Sequence, residues 1–241
     1  MSLNPNLLEL PVLCVLQARM GSRRLPGKVL ADVVGKPMIL RQIERVRSSA
    51  VGDKIVIATS TDETDDVLAE ALKGEGLEVF RGDLADVSSR FMGAMRMYEP
   101  HNVMRLTADC PLTDPAVITR VMEEHLSSAA EYTSNFVART FPKGLDVEVF
   151  RAESFERLIS LGLSDDEKEH VTLGFYLRPE DFTIRSVEQS PDRSALRWTV
   201  DFEEDLEFVR QVYTKLYSHS ELFTSEDIVE TGLTNVRREL N

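Results

Sequence analysis

Residues 12–28 read VLCVLQARMGSRRLPGK, a short apolar run followed at once by a loop rich in glycine and basic residues. An apolar run of this length that ends in turn residues is typical of a strand buried on both faces of a parallel sheet. In open α/β sheets, ligands bind beyond the carboxyl ends of such strands. The stretch therefore predicts an α/β fold with a ligand-binding loop directly after its first strand.

Strand and helix patterns alternate in the first 130 residues and become less regular afterwards. The first half contains predicted strands at 54–59, 77–80 and 102–107 and predicted helices that begin near Pro37, Val67, Val87 and Asp114. The second half contains predicted strands at 132–137, 145–150, 182–187 and 196–200 and predicted helices at 152–161, 165–177 and 203–216. Such alternation predicts one α/β domain over residues 1–241, a mixed sheet flanked by helices, to which the second half adds antiparallel strands.

The charge of the chain is unevenly distributed. Lys and Arg number 28 against 41 Asp and Glu, a formal net charge of −13, which argues against a protein coated in nucleic acid. Residues 17–47 reverse the balance, with eight basic residues against two acidic ones. For residues 36–47 we expect a solvent-exposed helix face. The four cations of residues 19–28 instead predict a site for a small polyanion such as a nucleoside triphosphate.

Two cysteines, Cys14 and Cys110, are too few for a disulfide framework and favour a reducing compartment. We expect Cys14 in the core and Cys110 packed beside an active loop. The N-terminus lacks the basic start of a signal peptide, and the apolar stretch 10–16 is too short to cross a membrane. The sequence therefore predicts a cytoplasmic protein that does not bind a membrane.

The loop after the first strand has the composition of a phosphate-binding loop. Gly21 and Gly27 allow backbone N–H groups to converge on one point, and Arg19, Arg24 and Lys28, as exposed loop cations, can surround three phosphates. The spacing excludes a Walker A loop, because five residues separate the two glycines and no Ser or Thr follows the lysine. It is not the G-x-G-x-x-G dinucleotide motif either.

The whole string resembles the signature loop of the sugar-activating cytidylyltransferases, A-R-x-x-S-x-R-L-P-G-K after the first strand, and within them the branch named for spore-coat polysaccharide biosynthesis. The matching residues are Arg19, Ser22, Arg24, Leu25, Pro26, Gly27 and Lys28. The resemblance implies a Rossmann-like fold of the nucleotide-diphospho-sugar-transferase type. In that fold, residues 1–130 would bind the nucleotide, and residues 131–241 would bind the acceptor sugar and complete the metal site.

The resemblance implies a set of nucleotide-binding residues, among which Arg19, Arg24 and Lys28 act in catalysis. The full set is Gln17, Ala18, Arg19, Gly21, Ser22, Arg24, Lys28, Thr59, Asp62, Arg81 and Arg90. The match at Thr59 and Asp62 is loose. For Asp65 and Asp66, a place in the first turn of a helix is the simpler interpretation. Arg81 and Arg90 are equally compatible with surface arginines.

Two aspartates follow predicted strands, and both have an ordinary structural explanation. Asp109 precedes Pro111 as turn aspartates often do, and Asp201 suits a helix N-cap, with residues 203–205 serving the helix dipole. The resemblance implies that both bind Mg²⁺, which takes oxygen ligands and keeps positions for substrate phosphates. The ulosonic-acid enzymes carry G-D-x-P where this chain has Ala108 before Asp109, so the metal aspartate is kept while the sugar stays open.

The resemblance also implies acceptor-binding residues at Asp146, Glu169 and His170. From the residues alone, Asp146 and Glu148 suit the solvent-exposed face of a strand, and His170 suits helix packing. Neither pattern predicts a paired-acid catalytic centre.

The resemblance implies a Mg²⁺-dependent cytidylyltransferase that activates a sugar with CTP, releases pyrophosphate and serves surface or spore-coat polysaccharide biosynthesis. A glycosyltransferase of similar fold is one alternative, although the sequence lacks the Asp-x-Asp motif that such enzymes commonly use. A catalytically silent nucleotide-binding protein is another, although the loop keeps its charged positions. The expected partners are CTP and a small sugar. The sequence does not determine the oligomeric state and is compatible with a homodimer.

Overall fold

The computed structural model describes residues 12–49, 54–217, 220 and 222–236, and its central strands are segments of five or six residues. The strands are β1 (Val12–Gln17), β2 (Ile55–Ser60), β3 (Glu78–Gly82), β4 (Asn102–Thr107), β5 (Tyr132–Ser134), β6 (Glu148–Arg151) and β7 (Ile184–Ser186). The α-helices are α1 (Met38–Arg47), α2 (Asp66–Gly74), α3 (Val87–Tyr98), α4 (Pro115–Ser127), α5 (Ala152–Ser160), α6 (Asp165–His170), α7 (Leu173–Leu177), α8 (Glu203–Leu216) and α9 (Ser225–Glu230). The stretch 1–11, which bears on the targeting prediction, lies outside the described residues.

The strands form one mixed sheet in the order β3-β2-β1-β4-β6-β5-β7. Strands β1 to β4 run parallel, while β6 is antiparallel to both β4 and β5. The chain order reverses between β1 and β4, where Gln17 lies opposite Thr107. Loops that leave these two strands diverge, which opens a cleft at the carboxyl edge of the sheet. The predicted α/β domain with a mixed sheet flanked by helices is confirmed.

Apolar residues cover both faces of the sheet. One core contains Leu16 and Met104 with the inward faces of α1, α4 and α8, and the other contains Val15 and Phe150 with those of α3, α5 and α7. Cys14 is fully buried, as predicted, and burial raises the pKa of its thiol to about 12. Within the described ranges, no helix is both long enough and apolar enough to cross a bilayer.

The predicted strand at 196–200 is wrong, because this segment pairs with a turn and not with the sheet. It makes only single bridges in the described structure, one of them between Lys143 and Arg197. Gly144, at φ 112°, lies so close to Trp198 that a Cβ there would come within 2.5 Å of the Trp198 carbonyl carbon. The strands predicted at 132–137 and 145–150 are shorter for a related reason. The Asn135 side chain replaces ladder hydrogen bonds by bonding the backbone of Leu145 and Val147.

The predicted helix at 165–177 is two helices. The break lies at Val171, a buried β-branched residue at φ 51° and ψ −63°, which closes a γ-turn from the Thr172 N–H to the His170 carbonyl. The prediction of an exposed helix face at 36–47 is also wrong. Arg41 and Arg45 are buried because their guanidinium groups bind backbone carbonyls.

Candidate active site

A cleft of about 1110 Å³ opens at the carboxyl ends of β1 and β4. Its lining combines the loop after β1, the loop after β3, the end of β4, the start of α8 and one side of α6. Ligand pockets commonly measure about 300–1,000 Å³, so the cleft can hold a nucleotide beside a second small molecule. The predicted site residues that line it are Gln17, Ala18, Arg19, Gly21, Ser22, Arg24, Lys28, Asp109, Glu169, His170 and Asp201.

The loop after β1 is held in a compact form by its own backbone and by one buried acid. Gly27, at φ 73°, donates its N–H to the Met20 carbonyl over 3.0 Å. The Met20 N–H in turn donates to Oδ1 of Asp65 over 2.7 Å. The sequence placed Asp65 in the first turn of a helix, but its carboxylate makes no cap bond there and instead ties the loop to Ser60 at the end of β2.

Lys28 joins the two predicted metal ligands. Its Nζ lies 3.5 Å from Oδ2 of Asp109 and 3.3 Å from Oδ1 of Asp201, and it donates to the Val200 carbonyl. The expectation of an exposed loop cation is wrong here, because only 10% of the Lys28 side chain is exposed. The structure brings Asp109 and Asp201 together as predicted, although they lie far apart in the chain.

Asp201 is surrounded by positive charge. Oδ1 lies 2.7 Å from Nη2 of Arg24, and Oδ2 lies 2.7 Å from Nη2 of Arg197. Burial alone would raise the pKa of Asp201, but the Arg197 hydrogen bond and the charges of Lys28 and Arg24 outweigh it and lower the pKa to about 2. Sequence reasoning missed Arg197, whose only signal is a basic residue four positions before the aspartate.

Asp205 fixes the turn that presents Asp201. Its Oδ2 accepts the backbone N–H groups of Asp201 and Phe202 over 2.9 and 3.0 Å, and it also binds Arg197. The N-cap position of α8 belongs to Phe202, so Asp201 is not the N-cap that its position in the sequence suggested. The sequence predicts that Asp205 interacts with the helix dipole, but the side chain is buried and organises the site.

Buried side chains of α1 hold the loop that carries Asp109. Gln42 donates to the Thr107 carbonyl over 2.9 Å, and Arg45 donates to the Thr113 carbonyl over 2.6 Å. From the other side, the Val200 N–H donates to the Asp109 carbonyl over 2.8 Å. Cys110 is buried beside this loop as predicted, and burial raises the pKa of its thiol.

The residues at this point fit a magnesium ion. No group of three or more His, Cys, Asp or Glu side chains in the described ranges could hold a metal. Two carboxylates that converge on one cation are nevertheless the protein share of many Mg²⁺ sites, because the ion keeps waters and binds substrate phosphates at its other positions. Asp109 and Asp201 are therefore the residues that would hold the ion.

Four residues of the implied nucleotide-binding set lie outside the cleft lining. Thr59 is fully buried within β2, and Asp62 caps the turn before α2 through Thr64. Arg81 donates to the Ser60 carbonyl because β3 ends beside β2. Arg90 is buried and donates to the backbone of residues 83 and 84, so it shapes a loop that lines the cleft without lining it itself.

Two of the three implied acceptor-binding residues line the cleft, and the third does not. Glu169 and His170 line the cleft from α6, and Oε1 of Glu169 lies 3.8 Å from Nη2 of Arg19. Asp146 does not line it, because its carboxylate is turned to Arg139, 2.6 Å away. Burial raises the pKa of Asp146, although the Arg139 hydrogen bond opposes that effect. The exposed strand face predicted around Glu148 is wrong, since Glu148 is buried.

Comparison with known proteins agrees with this geometry. The chain matches the sequence model of the cytidylyltransferases over residues 13–228. It is 34% identical over 223 residues to the spore coat polysaccharide biosynthesis protein SpsF of Bacillus subtilis (strain 168), covering 89% of this chain and 91% of that protein.

Solved structures show the same architecture. A cytidylyltransferase from Leptospira borgpetersenii aligns with a TM-score of 0.88 at 29% identity, over 96% of this chain and 100% of that one. A CMP:2-keto-3-deoxy-manno-octonic acid synthetase complexed with CTP aligns with a TM-score of 0.67 at 20% identity, over 85% of this chain and 99% of that one, and so shares the fold. The family match, the relative of high coverage and the shared fold together show that the chain belongs to the cytidylyltransferase family of nucleotidyltransferases.

Proposed function

We propose that this protein transfers a cytidylyl group from CTP to a sugar in a Mg²⁺-dependent reaction that releases pyrophosphate. The observation that carries the proposal is the meeting of Lys28, Asp109 and Asp201 in a cleft lined by further cations. This arrangement combines a carboxylate pair for a divalent ion with positive groups for a triphosphate. Membership of the cytidylyltransferase family supports CTP as the donor.

In the proposed reaction, a sugar hydroxyl oxygen attacks the α-phosphorus of CTP and releases its proton to solvent. The bond from the α-phosphorus to the oxygen that bridges to the β-phosphate breaks, and pyrophosphate leaves with its electron pair. Arg19 and Arg24 are half-exposed at the cleft and can stabilise the negative charge that develops on the leaving pyrophosphate. Lys28 would exchange part of its contact with the two aspartates for a phosphate oxygen. Bound Mg²⁺ would neutralise phosphate charge and lower the pKa of the attacking hydroxyl.

The relative SpsF is named for spore coat polysaccharide biosynthesis. By analogy, we propose that the activated sugar serves the synthesis of a surface or spore-coat polysaccharide, and that the reaction takes place in the cytoplasm. The acceptor half of the cleft, with Glu169 and His170 in its lining, supports a small polar acceptor.

The direct test is pyrophosphate release by the purified protein with Mg²⁺, each of the four ribonucleoside triphosphates, and a panel of acidic, amino and neutral sugars. We expect CTP to support release with at least one sugar, and little release without a sugar or without Mg²⁺. Thermal-shift titration should show the largest stabilisation with CTP, because a ligand that binds only the native state raises the melting temperature. Equal shifts with all four triphosphates would contradict the choice of CTP, and release that needs no sugar would contradict the acceptor.

A further inference from the structure

A buried ionic network lies under the acceptor side of the cleft. Glu148, on β6, is only 4% exposed. Its carboxylate accepts hydrogen bonds from the guanidinium of Arg105, from the hydroxyl of Thr172 and, over 2.8 Å, from the hydroxyl of Tyr132. A buried carboxylate with this many donors stays in one place, because leaving any of these groups unpaired would cost free energy.

Arg105 transmits this fixed position to the cleft. Its Nη2 donates to Oε1 of Gln17 over 3.1 Å. An arginine has donors only, so the atom of Gln17 that faces it must be the amide oxygen. The amide NH₂ of Gln17 therefore points away from Arg105, and it donates to none of the described residues. Gln17 lines the cleft, so this NH₂ is available to a ligand there.

The same Glu148 also fixes the opposite wall. Thr172, which binds it, ends the γ-turn centred on Val171. A β-branched residue at φ 51° is strained, and such a conformation persists only where its surroundings hold it. The turn follows directly on Glu169 and His170, which line the cleft. One buried carboxylate thus holds Gln17 on one side of the acceptor space and α6 on the other.

We propose that the Gln17 amide NH₂ donates a hydrogen bond to an oxygen of the acceptor sugar, and that Arg105 and Glu148 are positioning residues that fix its orientation. The Gln17 side chain lies on the sheet face of Val15 and Arg105, which is the side of α6. Lys28 instead turns to the Val200 carbonyl and Asp201, next to the opposite core. Gln17 is therefore assigned to the sugar, in contrast to the nucleotide role that the family resemblance implies for it.

The key variant is Gln17→Glu. The variant keeps an oxygen for Arg105, so the hydrogen bond that orients the side chain of residue 17 is retained. It removes the NH₂ donor. Gln211→Glu makes the same chemical change on the exposed face of α8, outside the cleft lining, and serves as the matched control. In pyrophosphate-release assays we expect Gln17→Glu to raise the acceptor KM about tenfold, the effect of one lost hydrogen bond facing an unpaired oxygen. The Kd for CTP and Mg²⁺, by calorimetry, should change by less than about twofold, since that contact is not to the nucleotide.

Moving the carboxylate from residue 148 to residue 17 tests whether Glu148 positions the residue 17 side chain. Glu148→Gln removes the buried charge beside Arg105, so we expect a lower melting temperature together with a raised acceptor KM. In the double variant Gln17→Glu with Glu148→Gln, the carboxylate returns to Arg105 from the other side. The melting temperature should recover at least in part, while the acceptor KM stays as high as in Gln17→Glu alone. A residue with only a structural role would recover both values together.

This inference rests on the proposed cytidylyl transfer, and the outcomes separate the two. Wild-type protein that releases no pyrophosphate with any sugar in the panel contradicts the proposed function, and this inference with it. Wild-type turnover with an unchanged acceptor KM in Gln17→Glu overturns the role of Gln17 alone. A large loss of CTP affinity in that variant, with the acceptor KM unchanged, overturns it as well and returns Gln17 to the nucleotide.

Discussion

The ammonium of Lys28 lies 3.5 Å from a carboxylate oxygen of Asp109 and 3.3 Å from one of Asp201. A single side-chain cation therefore bridges two carboxylates that are far apart in the sequence. Two carboxylates this close to one point would repel each other without a positive group between them, and one would tend to hold a proton. Lys28 removes that conflict in the protein itself. A divalent ion that binds here would compete with Lys28 for the same oxygens and free its ammonium for phosphate.

Lys28→Ala is therefore expected to affect both activity and stability. Catalytic efficiency should fall by at least about 100-fold, as for other losses of a group that stabilises the transition state. The free energy of unfolding should fall by about 1–3 kcal/mol, because a nearly buried charged partner of two acids is lost. Pyrophosphate release and urea denaturation measure the two effects. Lys73→Ala, on the exposed side of α2, is the control. Unchanged kinetics would remove the loop from the active site.

Arg24→Lys is not expected to preserve function. The Arg24 guanidinium lies 2.7 Å from Asp201 and 5.1 Å from the centre of the Phe202 ring, and its planar shape allows both contacts. An ammonium can neither stack on a ring in this way nor bind phosphate with two parallel donors. We expect a drop of about tenfold or more in kcat/KM for CTP. The same change at the exposed Arg185 should be silent, and full activity in Arg24→Lys would argue against a direct phosphate contact.

Asp109→Asn and Asp201→Asn should each reduce turnover severely. With a pKa of about 2, Asp201 is ionised at any working pH, so the amide removes a real charge. The half-saturating concentration of Mg²⁺ should rise in each variant. The losses in the double variant should be far from additive, because residues that hold one ion act as a unit.

The fold should survive these changes, which circular dichroism can check, and Asp192→Asn on the exposed surface is the control. Near-normal turnover of Asp201→Asn at saturating Mg²⁺ would contradict the metal role of that residue.

Because His125 is buried in its neutral form, the free energy of unfolding is expected to fall below neutral pH. Burial lowers the pKa of His125 to about 4, with smaller effects from Arg151 and His101, and the neutral ring is bonded to Thr133 and Asn102. The unfolded chain binds a proton near pH 6.5 and the folded chain only near pH 4. The stability is therefore fully present above pH 6.5 and is lost as the pH falls through this window.

At pH 5 the loss from His125 alone amounts to about 2 kcal/mol. Urea denaturation at pH 7.5 and pH 5 measures it. His125→Gln, which can keep both hydrogen bonds without titrating, should flatten the pH dependence. An equally steep dependence in that variant would show that another group is responsible.

The local pattern of apolar residues predicted most strands and helices in the first half of the chain. The helix Val87–Tyr98 begins where the sequence predicts, and the strand Asn102–Thr107 has the predicted bounds, because their apolar periodicity matches the environment that the fold supplies. The segment 196–200 reads as a strand just as clearly. It does not become one, since its backbone pairs with the turn at Gly144, which no local pattern reveals.

The candidate site divides in the same way. The loop at residues 17–28 and the two aspartates could be selected from the sequence because they carry charge after predicted strands. Asp65, Arg105, Glu148 and Arg197 could not. Asp65, Glu148 and Arg197 are buried and Arg105 is nearly so, because each pairs with a polar or charged group that only the folded chain brings to it, and burial of a charge depends on that pairing.

From the amino-acid sequence alone follow the α/β class, the order of most strands and helices along the chain, and the prediction that residues 17–28 bind phosphate. These features follow from local periodicity, glycine geometry and charge, which act over a few residues. It takes the folded structure to show that Lys28 lies between Asp109 and Asp201, and that Glu148 is linked to Gln17 through Arg105. Those contacts join residues far apart in the chain, and they exist because strand order and sheet register bring the segments together.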